Sequence, residues 1–152
     1  MNIRVFYLTL PALLLAASGF GAETHVRMKD LPPAVQKTVQ DESKGAIVRG
    51  LSKEVENGKT YYEAELKVSG HNKDLLIDPA GSIVEIEEAM ALNSVPPAVR
   101  GALEKRAGKG TIVSVESVTR AHSIVAYEAK IKTAGKTSEV RLSPDGGPAK
   151  EP

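Results

Sequence analysis

The stretch Tyr61-Tyr-Glu-Ala-Glu-Leu-Lys-Val68 alternates without a break. Tyr62, Ala64, Leu66 and Val68 fall on one side, Tyr61, Glu63, Glu65 and Lys67 on the other, which is the period-2 signature of a strand buried on one face and wet on the other. The pattern returns as Ala126-Tyr-Glu-Ala-Lys-Ile-Lys132, with Tyr127, Ala129 and Ile131 inward and Glu128, Lys130 and Lys132 outward. Tyr62 and Tyr127 are 65 residues apart, as are Gly70 and Gly135, Pro79 and Pro144, and Gly81 and Gly146. The chain therefore reads as a duplicated unit.

Working outward, each copy opens on a doubled proline, Leu31-Pro-Pro-Ala-Val35 and Val95-Pro-Pro-Ala-Val99. Proline suits the first turn of a helix, and Asp30 and Ser94 stand where N-terminal caps are expected. Leu31, Val35 and Val39, and then Val95, Val99 and Leu103, recur at four-residue spacing and give each helix a narrow apolar stripe. Lys44-Gly45 and Lys109-Gly110 stop the helices. Strands are expected over 46–56 and 111–119, then the two tyrosine strands, then 73–78 and 137–142. A fourth strand over 82–88 occurs in the first copy only. Asn57-Gly58 is a strong hairpin signal, and Asp78-Pro-Ala-Gly81 and Ser143-Pro-Asp-Gly146 fit type I turns. The predicted fold is α+β: two tandem repeats of one helix followed by a three- or four-stranded antiparallel meander, with the helices on one face of the sheet. At about 60 residues, each copy is marginal alone, so the two meanders are expected to pack as one unit.

Residues 1–22 read as a secretory signal peptide, with cleavage between Ala17 and Ala22. The apolar run from Val5 to Ala17 follows Arg4 and falls short of the ~20 residues that a bilayer-spanning helix needs. Stable membrane insertion after cleavage is not expected. Residues 29–90 form the first copy, 91–147 the second and 148–152 a frayed tail. The chain has no cysteine, which removes disulfides and thiol chemistry, and 41% hydrophobic against 26% charged residues is an ordinary globular balance. A formal net charge of +1 gives no basis for a nucleic-acid partner. Residues 29–90 hold eight basic against twelve acidic side chains and residues 91–152 hold ten against six, so the copies differ in sign.

Leu31-Pro-Pro-Ala-Val35, Asn57-Gly-Lys-Thr-Tyr-Tyr-Glu63, Leu76-Ile-Asp-Pro-Ala-Gly81 and their second copies resemble the PepSY-like domain over about 29–147. More distantly, they resemble the tandem-repeat beta-lactamase inhibitor proteins, whose disulfides this chain lacks. The resemblance implies a small exported bacterial protein with a suspected role in restraining peptidases. It transfers no functional residue.

No grouping of residues carries recognisable catalysis or a cofactor. His25, His71 and His122 have no partners at ligand spacing and read as solvated loop residues. Glu85, Glu87 and Glu88 alternate along a strand, which does not make the converging oxygens of a calcium loop. The chain therefore reads as a non-enzymatic binding module that uses its open sheet face to hold a protein or peptide, a peptidase or another envelope protein. The alternatives are a small-ligand binder and a self-associating structural protein. Tyr61 and Leu76, rimmed by Glu63 and Glu65 and joined by Ile83, are the expected anchors. In the second copy the corresponding face carries Lys130, Lys132 and Arg141.

Overall fold

The computed structural model describes residues 23–149. The signal peptide expected over 1–22, and the last three residues of the expected tail, lie outside the described residues. Within them, the chain forms β1 (Thr24–His25), α1 (Pro33–Glu42), β2 (Ala46–Glu56), β3 (Lys59–Val68), β4 (His71–Ile77), β5 (Ile83–Ala89), α2 (Pro97–Ala107), β6 (Thr111–Arg120), β7 (Ser123–Thr133) and β8 (Lys136–Leu142).

The strands form a single antiparallel sheet in the order β1 to β8, each paired with its sequence neighbour. This corrects the expected fold: the molecule is α+β, but it is one eight-stranded sheet with two helices, not two tandem helix-plus-meander repeats. The decisive pairing is β5 with β6, where Ile86, Glu87, Glu88 and Ala89 oppose Thr119, Val118, Ser117 and Glu116. Left apart, those two strands would each expose a row of unpaired backbone groups, and their union removes both edges. The expected packing of two meanders through a shared core is replaced by this backbone seam. The apolar interior itself stays divided. One cluster gathers Leu31, Val35, Val39, Ala64, Leu66, Leu75 and Ile77 under α1, and the other gathers Val95, Val99, Leu103, Val115, Tyr127, Ala129 and Leu142 under α2. Tyr127 is buried in the second, while Tyr62 packs only partly buried against the first.

The doubled prolines start both helices by a different route from the one expected. Pro32 and Pro96 themselves occupy the capping positions in extended conformation (ψ 145° and 143°), with no side-chain cap. A proline forces its predecessor out of the helical region, so two in succession hold the chain extended up to the helix. Asp30 and Ser94 instead end short 3-10 turns, where Arg27 holds the Asp30 carboxylate at 2.7 Å.

Four two-residue hairpins set the register: Asn57-Gly58, Ser69-Gly70, Ala121-His122 and Ala134-Gly135, every one with positive φ at both positions. That geometry matches the twist of the flanking strands. Because the second turn spans only Ser69-Gly70, His71 is the first residue of β4 and not part of the loop. The two proline turns pack against the helices. A Cβ on Gly81 would sit 2.8 Å from the Ala34 carbonyl oxygen, and one on Gly146 would sit 2.7 Å from that of Ala98, so only glycine fits. Past β8, Pro148 bridges to Leu142 and the Ala149 N–H donates to the Arg141 carbonyl.

Candidate binding face

Both helices cover the same side of the sheet, and the alternation that buries Ala64, Leu66, Leu75 and Ile77 beneath them sends the intervening residues to the other side. Pairing makes the content of that second face explicit. Glu65 on β3 lies opposite Asp74 on β4, and Asp74 opposite Glu87 on β5, so three carboxylates stand in line across three adjacent strands. One step along, Glu63 faces Leu76, which faces Glu85. On the other half, Glu116 faces Glu128, which faces Arg141, and Lys130 faces Glu139. The face curves into a concavity of about 530 Å³ lined by eleven acidic side chains against Lys130 and Arg141. The charge asymmetry between the halves of the sequence is thus also an asymmetry between faces, since Glu116, Glu128 and Glu139 of the second half join the acids of the first.

The two halves of this face are neutralised differently. Glu85 and Glu128 are each only 8% exposed, and both are held by arginine. Arg120 pairs with Glu85, Arg141 pairs with Glu128, and a second Arg141 nitrogen lies 3.6 Å from Glu85. The Arg141 Nε is buried with no hydrogen-bond partner, so the guanidinium is committed to the two carboxylates through its other nitrogens. Val118 and Ala126 share this half of the face and are buried as well. By contrast, Glu63, Glu65, Asp74 and Glu87 make no ion pair among the described residues. Glu63 accepts only the Ser52 hydroxyl, at 3.3 Å.

Proton affinities follow. Burial, reinforced by Asp74 and Glu54, pushes Glu63 up to about 7. Asp74 rises to about 6 through burial and the charges of Glu116 and Glu65. Glu87 rises to about 8 through burial and the charges of Glu128, Glu85 and Glu116. Burial and a hydrogen bond with Glu139 raise Glu128 against the pull of Arg141.

The structure brings Tyr61, Glu63, Glu65 and Leu76 to one face, half-buried, as the alternation predicts. It does not assemble the apolar anchor. Leu76 stands between two glutamates, and Tyr61, opposite Glu54, lies outside the concavity. Ile83 is lost to the first core cluster, because the register shifts between Leu76 and Ile77 and a bulge turns Ile83 to the helix side. Nor do Lys130, Lys132 and Arg141 form a basic surface. Arg141 is consumed by Glu85 and Glu128, Lys130 faces Glu139, and Lys132 is exposed between Thr111 and Thr137. Asp74, Glu87, Glu116 and Glu139 were absent from the expected face. Pairing parity was the signal that could have placed them.

Glu85, Glu87 and Glu88 separate as expected for alternation: Glu88 turns away to His71, 3.4 Å from its Nε2. A different trio, Glu23, Glu63 and Glu65, places carboxylate oxygens within 4.8 Å of one another. His25 shares the open face opposite Ser52, and His122 sits in the β6–β7 turn.

No family model and no curated protein sequence matches the chain. Solved structures do. A protein from Bacteroides eggerthii proposed to be periplasmic superposes with a TM-score of 0.62 at 18% identity, covering 78% of this chain and 85% of that one. A DUF2874 family protein from Bacteroides ovatus gives 0.59 at 19%, covering 79% and 85%. A BLIP-like protein from Bacteroides fragilis gives 0.54 at 20%, covering 78% and 83%. The chain thus has a BLIP-like fold, and the PepSY-like assignment stays a resemblance of sequence.

Proposed function

We propose that the chain is an exported, non-catalytic binding module whose uncovered sheet face takes a basic protein or peptide of the cell envelope. The observation that carries this reading is the row Glu65, Asp74 and Glu87, three half-buried carboxylates in register with no ion-pair partner among the described residues. Like charges placed directly opposite one another destabilise a sheet, so a face that keeps them is suited to an external cation. The other half of the face illustrates the chemistry, since its buried carboxylates are held by guanidinium groups. Restraint of a peptidase is the narrower form of the same reading. Export is supported by the leader pattern in residues 1–22 and by the similar protein proposed to be periplasmic. Among the described residues no helix is long and apolar enough to cross a membrane.

The test is calorimetric titration of an oligolysine peptide into the mature chain at low salt and neutral pH. Binding should weaken at least tenfold, about 1.4 kcal/mol, in the triple variant Glu65→Gln, Asp74→Asn, Glu87→Gln. It should be unchanged in Arg106→Gln, on the opposite side. It should also fall as salt rises and the Debye length shrinks. Absence of binding at low salt, or equal binding by the triple variant, rules the face out.

A further inference from the structure

We infer that the open face is a proton-controlled surface: Asp74 and Glu87, which stand in line with Glu65 across three adjacent strands, take up protons as the medium acidifies, which stabilises the fold and discharges the face. The part concerning partner release rests on the binding reading above, whereas proton uptake by the folded chain stands without it.

Register places the three carboxylates side by side on β3, β4 and β5, at the centre of a concave surface, where each has an acidic neighbour on the next strand. On β3 itself Glu63 adds negative charge, as do Glu54 from β2 and Glu23, whose carboxylate lies within 4.8 Å of those of Glu63 and Glu65. Gly50 stands under Glu65, whose carboxylate carbon would lie 3.0 Å from a Cβ at that position, and His25 of β1 shares the face opposite Ser52. From the β6 to β8 side, Glu116 and Glu139 add more negative charge. The available cations there are Arg120 and Arg141, both already on Glu85 and Glu128, and Lys130, opposite Glu139. Lys67, further along β3, bonds Asn72. Acids therefore crowd the row along β3 to β5, Val118 closes it on the β6 side of Glu87, the two arginines are engaged, and Lys130, which makes no ion pair among the described residues, offsets only part of the negative charge at Asp74. Partial burial adds to this by removing water that would otherwise stabilise the anions.

The raised proton affinities agree with this geometry: about 6 for Asp74, about 7 for Glu63 and about 8 for Glu87, against ordinary values of 3.8 for aspartate and 4.5 for glutamate. The sign is fixed by linkage. A carboxylate whose folded value exceeds its unfolded value binds more protons when folded, so stability rises as pH falls from the folded value towards the unfolded one. The window runs from about 8 down to about 4. Asp30, Asp41 and Asp145 are shifted the opposite way and lose their contribution only below their ordinary 3.8, outside this window.

The experiment is thermal unfolding of the mature chain between pH 8.5 and 5.0, with carboxyl-carbon NMR titration in parallel. The unfolding midpoint should climb by about 5 °C on acidification. In Asp74→Asn with Glu87→Gln the climb should shrink by at least half. Glu87 and Asp74 should titrate with midpoints above 5.5. A flat or falling midpoint in the wild type, or NMR midpoints below 5, overturns the inference, and the NMR arm decides even if the variants fold poorly. The oligolysine peptide, titrated at pH 7.5 and 5.0, separates the two readings. Binding that drops at least tenfold at the lower pH supports proton-controlled release. Binding that is equal at both overturns release, and no binding at either pH removes the binding face while the stability and NMR arms still judge proton uptake.

Discussion

Two regions of one surface answer the same electrostatic problem in opposite ways. Over β5 to β8, Glu85 and Glu128 are buried and matched by Arg120 and Arg141, so that half of the face is internally complete. Over β3 to β5, Glu65, Asp74 and Glu87 face one another with nothing of opposite sign between them among the described residues. Burying carboxylates is costly in either case, but in one region the protein supplies the counter-charge and in the other it leaves that to protons or to a partner. On the binding reading proposed above, the first half is architecture and the second is the half left for a partner.

The comparison breaks most severely at its arginine end. Replacing Arg141 by Ala leaves Glu85 and Glu128 buried against a lost partner and should cost about 3 kcal/mol, the lower range for stranding a buried charge. Urea unfolding at pH 7.5 reads this directly, and a loss under about 1 kcal/mol would mean that the pairs are as weak as surface ones. A similar effect is expected beneath the other side of the same half. Tyr127→Ala should cost about 3 kcal/mol because the ring is buried, and the half-buried Tyr62 should cost less, about 2 kcal/mol. Equal losses would contradict the unequal burial of the two rings. At the acid end the sign reverses. Glu63→Gln should stabilise the chain by up to about 1 kcal/mol at pH 8, allowing for solvent screening, and by nothing measurable at pH 4.5, where the native glutamate is already protonated. A destabilised variant at pH 8 would show that Glu63 contributes through the Ser52 hydrogen bond instead. The smallest change is expected from Tyr61→Ser with Leu76→Ser, within about 1 kcal/mol of wild type by urea unfolding, since both side chains lie on the uncovered face.

How much of this was legible in the sequence divides along the range of the interactions. Strand identity, the helix stripes and the inward face of each tyrosine strand follow from local alternation and four-residue spacing. Leu31, Val35, Val39, Val95, Val99 and Leu103 are all buried as those spacings require. The single sheet was not legible, because pairing of β5 with β6 depends on two strands separated by a helix, and the duplication in the sequence suggested two meanders packed together as one unit, not one continuous ladder. The candidate face was half legible. Parity put Glu63, Glu65 and Leu76 on it. Which residues meet there depends on register, and a bulge one residue wide removed Ile83, while cross-strand partners turned Arg141 from an exposed cation into a buried clamp.

The seam between β5 and β6 has a mechanical meaning. The buried residues of each apolar cluster stay on their own side of it, so its cohesion comes from four opposed residue pairs, from Met90, which packs against the second cluster and donates its N–H to the Val115 carbonyl, and from Glu85, which reaches across to Arg120 on β6 and Arg141 on β8. A crease of this kind should open before either flanking cluster melts. Backbone amides of residues 116–119 that bond across it should exchange with deuterium sooner than those shared by β3 and β4, and sooner still in Arg141→Ala. Uniform protection across both ladders would show the sheet to be equally stiff throughout. A cationic partner that competed for Glu85 would then do more than occupy a surface: it would loosen the crease on which the two halves of the sheet can flex.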